Sequence, residues 1–206
     1  LADGKDYFAV GGWSVSPNNE WLAYSTDYVS RRIYKVHFKN LLTGETIQNA
    51  ISNSSGSVAW ANDNRTVFYT SKNDVTLLSE KIWRHKLGSD SKSDEMVYHE
   101  KDDTFYNGVY RSKSGDYIII YNQSTLVSDF HILNADKPNG DFVNFSPREE
   151  EHEYSIDHYQ DKFYIISNWD AKNNRLMETS ETKTSKNNWK EVISHRDNVH
   201  LLDMEI

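Results

Sequence analysis

The chain has 206 residues, 31 acidic against 23 basic side chains and a formal charge of -8, with a mean hydropathy of -0.78. That acidic balance argues against non-specific nucleic-acid binding, which depends on Lys and Arg neutralising phosphates, and no run of residues is apolar enough for a membrane-spanning helix. There is no cysteine, so a disulfide framework and a thiolate zinc site are excluded, and a reducing, cytoplasmic setting is the expectation.

The first predicted unit covers residues 8–50. Residues 13–15, 21–26 and 33–38 are rich in aromatic and β-branched side chains, which fit the pleated, half-buried surface of a strand. Ser16-Pro17-Asn18-Asn19 separates the first two runs; Pro fixes φ and Asn tolerates left-handed geometry, so the chain can reverse there. In the third run Tyr34, Val36 and Phe38 alternate with Lys35, His37 and Lys39, a period of two that sends apolar groups to one sheet face. A turn at Leu42-Thr43-Gly44-Glu45 leads to a short fourth run at residues 46–48. The unit reads as a four-stranded antiparallel meander.

Residues 51–56 read as a polar linker, after which the plan repeats. The second unit, 57–100, has runs at 58–60, 66–70, 81–87 and 95–99, with Ala61-Asn62-Asp63-Asn64 as its hairpin turn. The third, 104–146, has runs at 104–110, 117–121, 129–133 and 142–145. Its 117–121 segment is apolar on both sides and is expected to be buried on both faces. The fourth, 152–194, turns near Gln160-Asp161 and has runs at 152–154, 163–167, 175–179 and 189–193. Residues 198–206 read as the first strand of a fifth unit.

The turn markers Ser16, Ala61, Ser112 and Tyr159 are spaced by 45, 51 and 47 residues. Four-stranded units recurring at about 40–50 residues are the signature of a β-propeller, in which each blade covers its neighbour's apolar face. The predicted fold is therefore all-β: one partial propeller over 1–206, with four blades and the start of a fifth. A sandwich used twice would not produce this recurrence.

Candidate chemistry is sparse. Glu149-Glu150-Glu151-His152-Glu153, followed by Asp157-His158, has the donor types for a divalent ion, but the histidine spacing does not match a helical zinc motif, and a solvated acidic turn is the simpler reading. No G-x-S-x-G nucleophile elbow occurs. No catalytic residue, metal site or cofactor is therefore expected in this chain. Arg31 and Arg32 stand out: adjacent residues entering a strand point to opposite faces, so one guanidinium would turn inward and need a carboxylate or carbonyl partner. These two are the candidates for an inter-blade or interdomain contact.

The segments GGWSVSPNNEWLAYSTDYVSRRIYKVHFKNLLTGE, VAWANDNRTVFYT, IWRHKLG, EKDDTFYNGVYRSKSGDYIII, REEEHEYSIDHYQDKFYIISN and NWKEVISHRDNV resemble, in order and spacing, the propeller of the oligopeptidase B branch of the prolyl oligopeptidase family of serine peptidases. The resemblance covers the chain from Tyr7 onwards. It implies a seven-bladed propeller capping a separate α/β-hydrolase domain, and an enzyme that cuts short peptides after Arg or Lys. Four blades are fewer than seven and the chain starts without Met or a leader, so it reads as cut from a longer protein. The expected partners are that catalytic domain and small basic peptides, with neither nucleic acid nor membrane. The alternative is a propeller serving as a protein-interaction or ligand-binding scaffold, though the recurring G-H and W-D signature of one such class is missing.

Overall fold

Left-handed backbone at the same place in successive hairpins sets the repeat. The computed structural model describes residues 1–47 and 51–206. Asn19, Asn64 and Gly115 all have positive φ (61°, 59° and 82°), and each lies three residues after the marker that opens its turn. Their N–H groups return to the carbonyls of Ser16, Ala61 and Ser112. Asn and Gly are the residues that adopt this conformation cheaply, so turn chemistry fixes where each unit folds back. The fourth hairpin is tighter and places Gln160 at φ 57°.

Fifteen strands result, β1 (Ala9–Val15), β2 (Trp21–Asp27), β3 (Tyr34–Asn40), β4 (Ile51–Trp60), β5 (Thr66–Lys72), β6 (Ser79–Lys86), β7 (Glu95–His99), β8 (Tyr106–Arg111), β9 (Tyr117–Gln123), β10 (Ser128–Asn134), β11 (Val143–Asn144), β12 (Tyr154–Tyr159), β13 (Lys162–Ser167), β14 (Arg175–Ser180) and β15 (Lys190–Ile193). All ladders are antiparallel. The only helical turns among the described residues are two 3₁₀ turns, Ser91–Ser93 and Lys186–Asn188. The sheets order as β1 to β7 in one run, β11-β10-β9-β8, and β12-β13-β14-β15. The fold is a partial β-propeller, with every sheet built from strands adjacent in sequence.

The core is a stack of three layers between blades. Ala23, Val36, Phe38, Ile51, Trp60, Val67 and Tyr69 pack between the first two blades. Phe68 and Ile82 of the second meet Ile118 and Ile120 of the third, while Ile119 turns the other way, towards Tyr154, Phe163 and Ile165 of the fourth. The expected two-sided burial of 117–121 is thus explained: alternate isoleucines serve different layers, and all three are fully buried. Stacked interfaces of this kind give a chain of modest apolar content enough buried surface to fold.

Three expectations about the elements fail. Residues 51–56 form the first half of β4 instead of a linker, pairing with β3 through Tyr34↔Ser54 and Val36↔Ile51 before the strand continues against β5. Ile51 anchors it at full burial, and Ser54 Oγ accepts from the N–H of Gly56, whose φ is 109°. Ser54 Oγ and Asn53 Nδ2 bond protein groups, so polarity there did not mean solvent. The short fourth run at 46–48 is reduced to a bridge from Thr46 to Lys39 and an Ile47 N–H bond to Phe38, and Gln48 lies outside the described residues.

Residues 198–206 form no strand either. The segment is held by Asn173 and Asn174 of the β13–β14 turn, through Leu201 N–H to the Asn173 carbonyl and Asn174 Nδ2 to the Leu201 carbonyl. No described strand stands beside it to supply a ladder.

Candidate functional site

The chain leaves each blade's second strand and enters its third on one rim of the stack, and Arg31 and Arg32 lie there. Arg31 and Arg32 sit in the β2–β3 connection, before β3 begins, and both are exposed. Asp27 explains this. Its carboxylate accepts from the N–H groups of Val29 and Arg32, at 2.8 Å each, and folds 27–32 into a tight turn with Ser30 and Arg32 left-handed. Neither residue is in a strand, so the alternation argument for an inward guanidinium does not apply. Among the described residues no carboxylate lies within 4.0 Å of either guanidinium.

Lys72, ending β5 in the next blade, joins them. Ser30, Arg31, Arg32, Lys72 and Leu77 line a cavity of about 380 Å³ spanning the two blades. Burial and then the Arg32 charge lower the proton affinity of Lys72, against a counteracting pull from Asp27. A positive pocket on an acidic chain is an anion-receptive feature.

Further along the same rim the charges are paired. Arg148, between β11 and β12, donates from Nε to Asp129 and from Nη2 to Glu100, both at 2.5 Å, with its guanidinium 3.8 Å above the Phe105 ring. Asn122 Nδ2 donates to Asp129 and to the Tyr98 hydroxyl, which itself donates to Glu100. Burial opposes ionisation of Glu100, but Arg148 and the Asp102 N–H outweigh it and hold the carboxyl below its ordinary range. Burial lowers the pKa of His131 despite its neighbour Asp129. Partners this far apart in sequence left no local pattern to read.

The two histidines of the acidic segment part company. His152 is buried with Nε2 2.9 Å from Ser167 Oγ, and its pKa is lowered by burial and by Lys186. His158, fully buried on β12, has Nδ1 2.8 Å from Ser114 Oγ and Nε2 2.9 Å from Glu181. Ser114, His158 and Glu181 thus stand in a row, but Nε2 and Glu181 approach without hydrogen-bond geometry, so the row is not a bonded relay. Ser114 Oγ also accepts from the Asp116 N–H at 3.1 Å and shares a hydrogen bond with Ser112 Oγ at 3.0 Å. The Gly115 N–H of the same turn is spent on the Ser112 carbonyl. With the Ser114 N–H bonded to the His158 carbonyl, this contact fastens blade three to blade four.

Antiparallel sheets of seven, four and four strands with a charged rim define a partial propeller module. The family model for the prolyl oligopeptidase N-terminal β-propeller domain matches residues 1–206, and the chain belongs to that family. It is 40% identical over 207 residues to dipeptidyl aminopeptidase BI of Pseudoxanthomonas mexicana, covering all of this chain and 28% of that protein. It is 31% identical to Protease 2 of Moraxella lacunata, over 86% of this chain and 26% of the relative. Among solved structures, oligopeptidase B from Leishmania major superposes with a TM-score of 0.87 at 25% identity, over 95% of this chain and 28% of that one. The chain spans little more than a quarter of the length of the relatives it matches.

Proposed function

We propose that this chain is the access-controlling cap of a serine peptidase that cleaves short peptides after Arg or Lys in the cytoplasm, with the chemistry carried by an α/β-hydrolase domain elsewhere in the same protein. The observation carrying the cap reading is the partial propeller itself, matched from residue 1 to residue 206 by the N-terminal propeller domain of a peptidase family. Support for basic substrates comes from the likeness to Protease 2 and oligopeptidase B, and from a surface whose formal charge of -8 favours cationic peptides. In this reading the Arg31, Arg32 and Lys72 pocket faces carboxylates of the catalytic domain and latches cap to enzyme.

A second reading rests on the 40% identity to a dipeptidyl aminopeptidase. There the protein would release dipeptides from a free amino terminus. A panel of fluorogenic substrates offered to the full-length protein separates the two. Cleavage of amino-blocked substrates ending in Arg supports the first reading, and turnover only of unblocked dipeptide substrates replaces it with the second. Turnover of neither ends both.

A further inference from the structure

The chain contains two Asn-Gly pairs, and the fold gives them opposite circumstances. Asn107-Gly108 lies within β8, with Asn107 2% exposed and its backbone paired to Asn122 of β9. Asn139-Gly140 lies in the β10–β11 connection, with Asn139 exposed and its amide free of hydrogen bonds among the described residues. Lys137-Pro138-Asn139-Gly140 is a β-turn closed by the Gly140 N–H to the Lys137 carbonyl at 2.9 Å. Pro second and Gly fourth are the residues such a turn favours.

We propose that Asn139 is a site of spontaneous deamidation, and that the modified turn alters the junction between the second and third blades. The backbone nitrogen of Gly140 attacks Cγ of Asn139. The new N–C bond closes a five-membered imide, the Gly140 N–H proton is lost, and the side-chain amide leaves as ammonia. Water then adds to either imide carbonyl, giving aspartate or, with the main chain rerouted through the side chain, isoaspartate. Glycine permits the attack because no Cβ shields its nitrogen. The turn bond from Gly140 to Lys137 must open first, so an exposed connection reacts while a strand interior does not.

The consequence falls on Arg84 of β6. Its Nη2 donates to the Gly140 carbonyl at 2.7 Å, its Nη1 pairs with Glu95 at 3.1 Å, and the guanidinium lies 5.8 Å from the Phe68 ring centroid. Deamidation adds a carboxylate one residue before the carbonyl that this cation holds, and the isoaspartyl form adds a main-chain carbon to the turn that presents the Gly140 carbonyl. The aspartyl product keeps the blade contact and the isoaspartyl product loosens it.

The test is to age the purified chain at mildly alkaline pH, digest it, and follow both Asn-Gly peptides by mass spectrometry, with chromatographic separation of aspartyl and isoaspartyl products. Conversion at Asn139 should outpace Asn107 by at least about tenfold, as local protection dictates. Gly140→Ala should slow it, while Asn139→Asp should melt as the parent does and the purified isoaspartyl form should melt lower. An Asn139 that stays an amide while unstructured control peptides convert would overturn the site. Equal conversion at Asn107 would remove the structural cause, and an isoaspartyl form melting like the parent would remove the effect on the blade junction.

Discussion

Ser114, in the third blade's hairpin turn, holds its Oγ 2.8 Å from Nδ1 of His158 on the first strand of the fourth blade. The Ser114 N–H also donates to the His158 carbonyl at 3.0 Å, and Lys113 N–H to Asp157 at 2.9 Å, so the turn docks on the neighbouring strand by three bonds. Ser114→Ala should therefore cost about 1–2 kcal/mol, the range for leaving a buried imidazole nitrogen unpaired. Chemical denaturation of the variant checks the cost. Labelling by a serine-directed fluorophosphonate should be absent in parent and variant alike, and labelling lost on mutation would show a live nucleophile.

Arg148 joins two connections between blades to the start of β10, since it binds both Glu100 and Asp129. Arg148→Ala leaves two buried carboxylates without their cation and should destabilise the chain by about 2–4 kcal/mol, at the lower end for buried pairs because the guanidinium is partly solvated. The pH dependence has a definite sign. Glu100 is held below its ordinary value of 4.5, so the stability it contributes is full above that value and lost as pH falls through the lower, folded-state value. Melts between pH 7 and 3 should show a steeper acid loss in the parent than in Glu100→Gln.

Arg31→Ala and Arg32→Ala should each change the stability of the isolated chain by less than about 0.5 kcal/mol, because both side chains are exposed and unpaired. The full-length protein should lose activity if the pocket meets the catalytic domain. Thermal melts and turnover, compared between chain and full-length protein, test the pocket's role; indifference in both removes it.

Open faces should make the chain associate. In the first blade Val10, Trp13, Val15, Val29 and Leu42 are exposed, Trp13 at 73%, and Tyr159, Val192 and Ile193 are exposed in the fourth. Contiguous apolar surface of a few hundred Å² commonly drives self-association. Sedimentation should show concentration-dependent oligomers that Trp13→Glu weakens. A monodisperse monomer at all concentrations contradicts this.

The repeat was legible because its punctuation is chemical: Asn19, Asn64 and Gly115 supply the left-handed turn position in three successive hairpins. Ile118, Ile119 and Ile120 announced burial on both faces for the same local reason. The β4 strand was hidden because Ser52, Asn53, Ser54 and Ser55 look solvated, whereas Asn53 Nδ2 bonds the Lys72 carbonyl and Ser54 Oγ bonds Gly56. Arg31 and Arg32 misled because the deciding residue, Asp27, acts on their backbone and not on their charge. The Arg148 network was invisible because its partners lie 19 and 48 residues away.

The central proposal is that this chain governs access while the chemistry belongs to another domain of the same protein. Acyl transfer needs an activated nucleophile and preorganised oxyanion donors, and the proposed reading assigns both to the catalytic domain. The most direct measurement is hydrolysis of a fluorogenic dipeptide ending in Arg by the isolated chain and by the full-length protein, each titrated with a serine-directed inhibitor. The account predicts no turnover by the chain and stoichiometric inhibition of the full-length protein. Turnover by the isolated chain that titrates with the inhibitor would contradict it.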